Sequence, residues 1–149
     1  MISTEPEAPI HYALEPELSL EEFMSVLVRS TLAERRPMDK PGLLNSALRG
    51  ADLIVTARDA TGKLVGISRA LSDFAHATYL ADLAVDEACQ GRGIGRELVK
   101  RTHEAAGLHT FLILLAAPKA RTYYPHIGMR PHDSCWIFDR VETDAEKLA

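Results

Sequence analysis

Residues 79–106 read Tyr79-Leu80-Ala81-Asp82-Leu83-Ala84-Val85-Asp86-Glu87-Ala88-Cys89-Gln90-Gly91-Arg92-Gly93-Ile94-Gly95-Arg96-Glu97-Leu98-Val99-Lys100-Arg101-Thr102-His103-Glu104-Ala105-Ala106, and this stretch decides the fold. The apolar run 80–85 predicts a strand, an acidic turn follows, and residues 90–95 hold three glycines in six positions. A helical pattern begins at once, with Ile94, Leu98, Thr102 and Ala105 on one face and Gly107 as terminator. Strand, glycine loop and helix together make an anion site. The first amides of a helix lack internal partners and point outward, and the helix dipole adds partial positive charge there. Gly91, Gly93 and Gly95 permit tight turns and close approach of a ligand to the backbone, and Arg92 and Arg96 add positive charge.

Two phosphate-binding patterns are excluded. A dinucleotide fingerprint starting at Gly91 needs glycine where Arg96 stands, and no run carries the Gly-Lys-Ser/Thr ending of a P-loop. Gln90, Gly93 and Gly95 do satisfy Gln/Arg-x-x-Gly-x-Gly/Ala. The plainer reading of a glycine trio is a turn between a core strand and a core helix. On the complete strand–loop–helix pattern, however, the chain resembles the GNAT family (GCN5-related N-acetyltransferases), whose corresponding loop cradles the pyrophosphate of acetyl-coenzyme A.

A second segment carries the same resemblance. Ala120-Arg121-Thr122-Tyr123-Tyr124-Pro125-His126-Ile127-Gly128-Met129 is similar to the family's Ala-x-x-Phe/Leu-Tyr-x-x-x-Gly-Phe, with Met129 where Phe is usual. The resemblance implies acetyl-CoA as cosubstrate and no metal. It implies cofactor contacts at Leu83, Ala84 and Val85 through strand backbone, at Gln90, Gly91, Arg92, Gly93, Ile94, Gly95 and Arg96 in the loop, and at Tyr123. Tyr124 aligns with the tyrosine that in many members protonates the departing thiolate, which suits a phenol with a pKa of about 10. Asp82 stands where many members carry an acidic residue, so it is the candidate for a direct role with the attacking amine. Asp73, His76 and Glu87 are weaker candidates for the base.

The chain departs from the family pattern at three points. Ala81 replaces a frequent second acidic residue, Ala117 stands where Asn is frequent, and His126 stands where Lys or Arg is common. Cys89, beside the loop, has no histidine paired with it in sequence, and direct transfer needs no covalent intermediate.

Composition narrows the functional classes. A chain of 149 residues with 46% hydrophobic and 26% charged content suits one globular domain. The net charge of -4 argues against nucleic acid as partner and favours a neutral or cationic substrate. The two cysteines, Cys89 and Cys135, are expected as free thiols, and the six histidines form no metal-ligand spacing. The N-terminus has no basic start or apolar stretch, and the longest apolar run, 111–117, is too short to span a bilayer, so no membrane association and a cytoplasmic location are expected.

Along the chain, the pattern predicts a strand at 10–14, then a helix capped by Ser19 with Glu22 completing a capping box. That helix has Phe23, Met24, Leu27, Val28 and Leu32 at helical spacing. A short helix at 43–49 ends at Gly50, and strands at 52–58 and 64–71 flank a glycine-containing turn. After the organising strand and helix come a buried strand at 110–116, a short helix at 119–124 broken by Pro125, and a last strand at 134–138 in which Trp136 packs. The class is α+β (mixed α/β). The resemblance implies a central, mostly antiparallel sheet of about six or seven strands with about four helices, in a single domain 1–149 whose ends, 1–9 and 142–149, are loose.

These readings lead to an acetyl-CoA-dependent N-acetyltransferase acting on a primary amine: a small amine, an amino acid, an antibiotic or a protein amino group. The resemblance also allows a homodimer. A catalytically silent CoA-binding sensor or interaction module of the same fold is the alternative, motivated by Ala81 and Ala117, and a longer acyl-CoA is a third reading.

Overall fold

The computed structural model describes residues 7–147. Five strands, β1 (His11–Leu14), β2 (Leu53–Arg58), β3 (Leu64–Ser72), β4 (Ala77–Val85) and β5 (Phe111–Leu114), form one sheet in sequence order. Neighbours from β1 to β4 run antiparallel, and β5 joins β4 in parallel. The helices are α1 (Leu20–Arg29), α2 (Pro41–Arg49), α3 (Ile94–Ala106), α4 (Tyr123–His126) and α5 (Asp144–Lys147), with single 3-10 turns at Leu32–Arg35, Glu87–Cys89 and Pro118–Ala120. The chain divides into two compact units, Met1–Leu114 and Leu115–Ala149.

In the first unit the sheet is covered on both faces. Phe23, Val26 and Leu27 of α1 and Leu44 and Leu48 of α2 bury against Ile54, Ile67 and Ala84. Ile94 and Leu98 of α3 bury against Val55, Ala57 and Val65 on the opposite face, and Ala106 continues that layer against Leu53, Ala70 and Leu80. Each fully buried aliphatic side chain contributes roughly 1.5–3 kcal/mol of transfer free energy. Parallel β4 and β5 need a long crossover between them, and α3, 13 residues long, supplies it.

Local signals explain the helix ends. Ser19 accepts the Glu22 N–H at 3.2 Å and caps α1. The expected box closes only on that side, because both Glu22 carboxylate oxygens are taken by Arg58. Val28 is 61% exposed and lies off the buried face of α1. Pro41 starts α2, where its missing N–H has no partner to lose, and Gly50 ends it.

Three expectations are corrected. The strand at 110–116 is shorter, is an edge paired only with β4 among the described residues, and is not buried on both faces: Leu112 and Leu114 pack on the α3 layer, whereas Phe111 and Ile113, on the other face, are about half exposed. Pro125 does not break a helix at 119–124. The segment forms a 3-10 turn and then α4, whose first turn includes Pro125, where no N–H is required. Residues 134–138 form no strand, so the sheet has five strands, and Trp136 is 89% exposed rather than packed. Apolar β-formers do not make a strand without a ladder partner and a face to bury. Of the ends expected to be loose, 1–6 and 148–149 lie outside the described residues. Within them, Glu7 and the Ala8 carbonyl both receive Arg92, and Asp144–Lys147 forms one helical turn.

Candidate active site

β4 is nine residues long, but its pairing with β5 ends at Leu80↔Leu114. On the other side β4 stays paired to β3 up to Gly66↔Val85. Residues 81–85 therefore present one backbone edge that no strand occupies among the described residues. Asp86 N–H donates to the Val65 carbonyl at 2.8 Å, which fixes the alternation: residues 82, 84 and 86 turn their backbone groups to β3. Leu83 and Val85 turn theirs to the open edge, while Ala84 buries its methyl against the α1–α2 layer.

The change of edge begins at a bulge. Arg69 faces Asp82 and Ala70 faces Leu80, so Ala81 is an extra residue on β4. A bulge leaves a residue outside the ladder and bends the strand. Arg36, in the connection between α1 and α2, supplies what the ladder does not: its Nη2 donates to the Ala81 carbonyl at 3.1 Å.

The glycine loop follows directly. Asp86 caps the 3-10 turn Glu87–Cys89 by accepting the Ala88 N–H at 2.9 Å. Burial pushes the Asp86 carboxyl up, but the Ala88 N–H and the Arg29 guanidinium outweigh it and hold the carboxyl below its ordinary range. Arg29 Nη1 meets Asp86 Oδ2 at 2.5 Å, and its Nη2 meets the Leu64 carbonyl at 2.7 Å. Gly91 and Gly93 have φ of 79° and 77°, a left-handed conformation that favours glycine. Gly93 is the N-cap of α3 and has no side chain to offer, so no side-chain hydrogen bond caps the helix. The intrahelical ladder starts with Glu97 N–H on the Gly93 carbonyl, which leaves the amides of Ile94, Gly95 and Arg96 ahead of it. Gln90 and Arg96 are exposed, and Gln90 Nε2 donates to the Val85 carbonyl at 3.3 Å. Arg92 is half-buried and bonds Glu7 and the Ala8 carbonyl.

Asp82 is 2% exposed and sits between two arginines. Arg36 Nε reaches Oδ1 at 2.6 Å, and Arg69 Nε reaches Oδ2 at 2.5 Å. Both carboxylate oxygens thus accept charge-assisted hydrogen bonds. The other acidic candidates have structural partners or none. Asp73 accepts the N–H groups of Ala75, His76 and Ala77, which hold its carboxyl at about 2. The His76 ring stands edge-on to Phe111 at 4.9 Å, and Glu87 is exposed. Cys89 and Cys135 are free.

In the second unit, Tyr123 and Tyr124 open α4 with their rings edge to face at 5.3 Å. Burial, and then the neighbouring Tyr123, raises the Tyr124 phenol above its ordinary value, so it is protonated at neutral pH. Among the described residues the Tyr124 hydroxyl has no hydrogen-bond partner. The Tyr124 carbonyl accepts Met129 N–H at 3.0 Å and closes the turn around Gly128.

Arg36, Arg69 and the Arg29–Asp86 pair border the candidate site, and the motifs did not reveal them. Their partners lie 46, 13 and 57 positions away, and no local pattern encodes such a meeting.

Among the described residues, no helix is long and apolar enough to cross a membrane, and no group of three or more His, Cys, Asp or Glu is arranged to hold a metal ion. No curated protein matched the sequence. Among solved structures, a protein of unknown function from meticillin-resistant Staphylococcus aureus superposes with a TM-score of 0.73 at 16% identity, over 89% of this chain and 100% of that one. YhbS of Escherichia coli, a GNAT family N-acetyltransferase solved with CoA, gives 0.64 at 21% identity over 84% and 71%. An aminoglycoside acetyltransferase from an uncultured soil metagenomic sample, solved with sisomicin, gives 0.66 at 17% over 90% and 97%. At these identities the likeness is one of fold. The family model for the acetyltransferase (GNAT) domain matches residues 49–130, which is more than half of the chain and spans the bulged strand, the glycine loop and α4. On that match the chain belongs to the GNAT acetyltransferase family.

Proposed function

We propose that this protein transfers an acetyl group from acetyl-CoA directly to a primary amine. One observation carries the reading: an uncapped helix on a left-handed glycine follows a strand with an open backbone edge. The amides of Ile94, Gly95 and Arg96 suit a pyrophosphate, with Gln90, Gly91, Arg92 and Gly93 shaping the loop and Arg96 adding charge. The backbone groups of Leu83 and Val85 suit an extended amide-bearing arm added as a strand, and Ala84 holds the register between them. Bound there, acetyl-CoA supplies the activated acyl group. Tyr123 flanks Tyr124 and adds to the contact with the cofactor, and the Tyr124 hydroxyl donates its proton to the departing thiolate sulfur.

Asp82 contributes by position. Two guanidinium groups occupy its oxygens, which favours a role in fixing Arg36 and Arg69 beside the bulge over a role as proton acceptor. The acceptor amine then loses its proton to water during attack.

Isothermal titration with acetyl-CoA, followed by free-thiol release over a panel of amines, tests the reading. Binding with release is expected, and absence of binding at millimolar acetyl-CoA would reject it. A second reading, a catalytically silent CoA-binding module, is favoured by the engagement of Asp82 and the lack of an acidic neighbour at Ala81. Tight binding without release from any amine would select it. The exposed Trp136, Ile137, Phe138 and Val141 support a homodimer, because monomers rarely leave so many large apolar groups in water.

A further inference from the structure

We infer that the acceptor is an amine that also carries a carboxylate, held by Arg36 and Arg69; the inference rests on the acetyl-transfer reading above. The three groups that meet at Asp82 are two guanidiniums and one carboxylate, so they sum to one unmatched positive charge. The surroundings do not dilute it freely. The side chains of Arg69 and Asp82 are 14% and 1% exposed, and that of Arg36 is 25% exposed. A partly desolvated, unmatched guanidinium is stabilised by an anion. The chain as a whole carries -4, which makes this local excess contrary to the bulk charge.

The donors are also incompletely used. Arg69 spends Nε on Asp82 and Nη1 on the Ala47 carbonyl at 3.1 Å, and its Nη2 has no partner among the described residues. Arg36 spends Nε on Asp82, Nη1 on the Arg35 carbonyl and Nη2 on the Ala81 carbonyl, leaving the second hydrogen of each terminal nitrogen. A guanidinium fork of this kind matches a carboxylate in two-point geometry.

Location gives the cluster its meaning. Arg36 touches the backbone of Ala81, the bulge residue, immediately after the last β4–β5 pair at Leu80↔Leu114. The positive excess therefore borders the start of the open edge at Leu83. A carboxylate placed on the cluster sets the amine of a short amino acid beside that edge. The same positive charge disfavours the ammonium form of the amine and favours the neutral nucleophile. Asp82, in this arrangement, is the tether that keeps two arginines from separating.

The test compares matched acceptors in the wild-type protein. Thiol release from acetyl-CoA is measured with the standard amino acids, β-alanine and γ-aminobutyrate against the carboxamide of each. A charge-assisted two-point contact predicts kcat/KM higher for the acids by roughly 10- to 100-fold. In Arg69→Gln the acid-to-amide ratio should fall toward one through KM of the acid, and in Arg36→Lys it should fall partly. A purely structural arginine pair would lower both substrates together and leave the ratio unchanged. Equal or faster release with the amides in wild type overturns the inference, as does acetyl-CoA binding with no release from either set. Failure to bind acetyl-CoA at all overturns instead the acetyl-transfer reading on which it stands.

Discussion

Arg29, the last residue of α1, meets the carboxylate of Asp86 at 2.5 Å, one residue after β4 ends. Through this pair the helix layer holds the point where the strand turns into the glycine loop. Asp86 is 5% exposed, and Lys63 stands 3.9 Å away as a second, longer partner. Arg29→Met leaves the buried carboxylate without its close partner. The expected cost is about 2–4 kcal/mol, less than a fully isolated charge because Lys63 remains. Urea denaturation measures it, and acetyl-CoA titration on the same variant should show weaker binding. An unchanged midpoint would show that Lys63 and water compensate fully.

Arg58 makes an acid-sensitive cluster with Glu15 and Glu22. It donates to both oxygens of Glu15 and both of Glu22, and these bonds hold the two carboxyls below their ordinary range despite burial. Folded values below the unfolded one mean that the folded state binds fewer protons. The stabilisation is therefore complete above the ordinary carboxylate value of about 4.3 and is lost as pH falls through the depressed values. Arg58→Gln should lower stability at neutral pH and flatten the acid limb of the stability curve. Thermal melts from pH 7 to pH 3 test this, and an unaltered slope would remove the cluster from the acid response.

Gly93 combines a φ of 77° with the N-cap of α3, and nothing lies within 4 Å of where a Cβ would stand. Gly93→Asp therefore meets backbone strain of about 1 kcal/mol rather than a clash, and the protein should fold. Its carboxylate would occupy the open amides and repel a phosphate. Acetyl-CoA binding should be lost in calorimetry while circular dichroism stays unchanged. Retained affinity would reduce the loop to a turn.

Tyr124→Phe removes the phenol and keeps the ring against Tyr123. Loss of a general acid predicts a fall in kcat on the order of 100-fold with little change in acetyl-CoA affinity. Because burial raises the phenol, the wild-type alkaline limb should lie above the ordinary value of about 10 and should vanish in the variant. A variant with wild-type turnover would assign proton delivery to solvent.

Trp136 and Phe138 are 89% and 102% exposed. The double substitution Trp136→Asp, Phe138→Asp should convert a dimer into a monomer in light scattering at micromolar concentration. A wild-type protein that is monomeric there would reject the homodimer directly.

The sequence by itself determined those features whose cause is local. Alternation, glycine punctuation and helical spacing identified β2, β3 and α3 nearly to the residue and β4 except for its start, and Ser19, through its side-chain oxygen, and Gly50, through its backbone N–H, marked helix ends. The Gln90–Gly93–Gly95 spacing located the uncapped helix start, because the conformation it needs is a property of glycine itself. Tertiary structure alone decided the rest. The bulge at Ala81 exists only against a partner strand, and the open edge of residues 81–85 exists because β5 stops at Leu114. The strand read at 134–138 is absent, because a strand is a relation between two chains of hydrogen bonds and not a property of one segment. The sequence offered Asp82 as the candidate for a direct role with the amine, but only the fold brought Arg36 from 46 residues away and Arg69 from the facing strand onto its two oxygens. Electrostatic environment is set by whichever charges the packing brings within a few ångströms, and sequence distance carries no information about that.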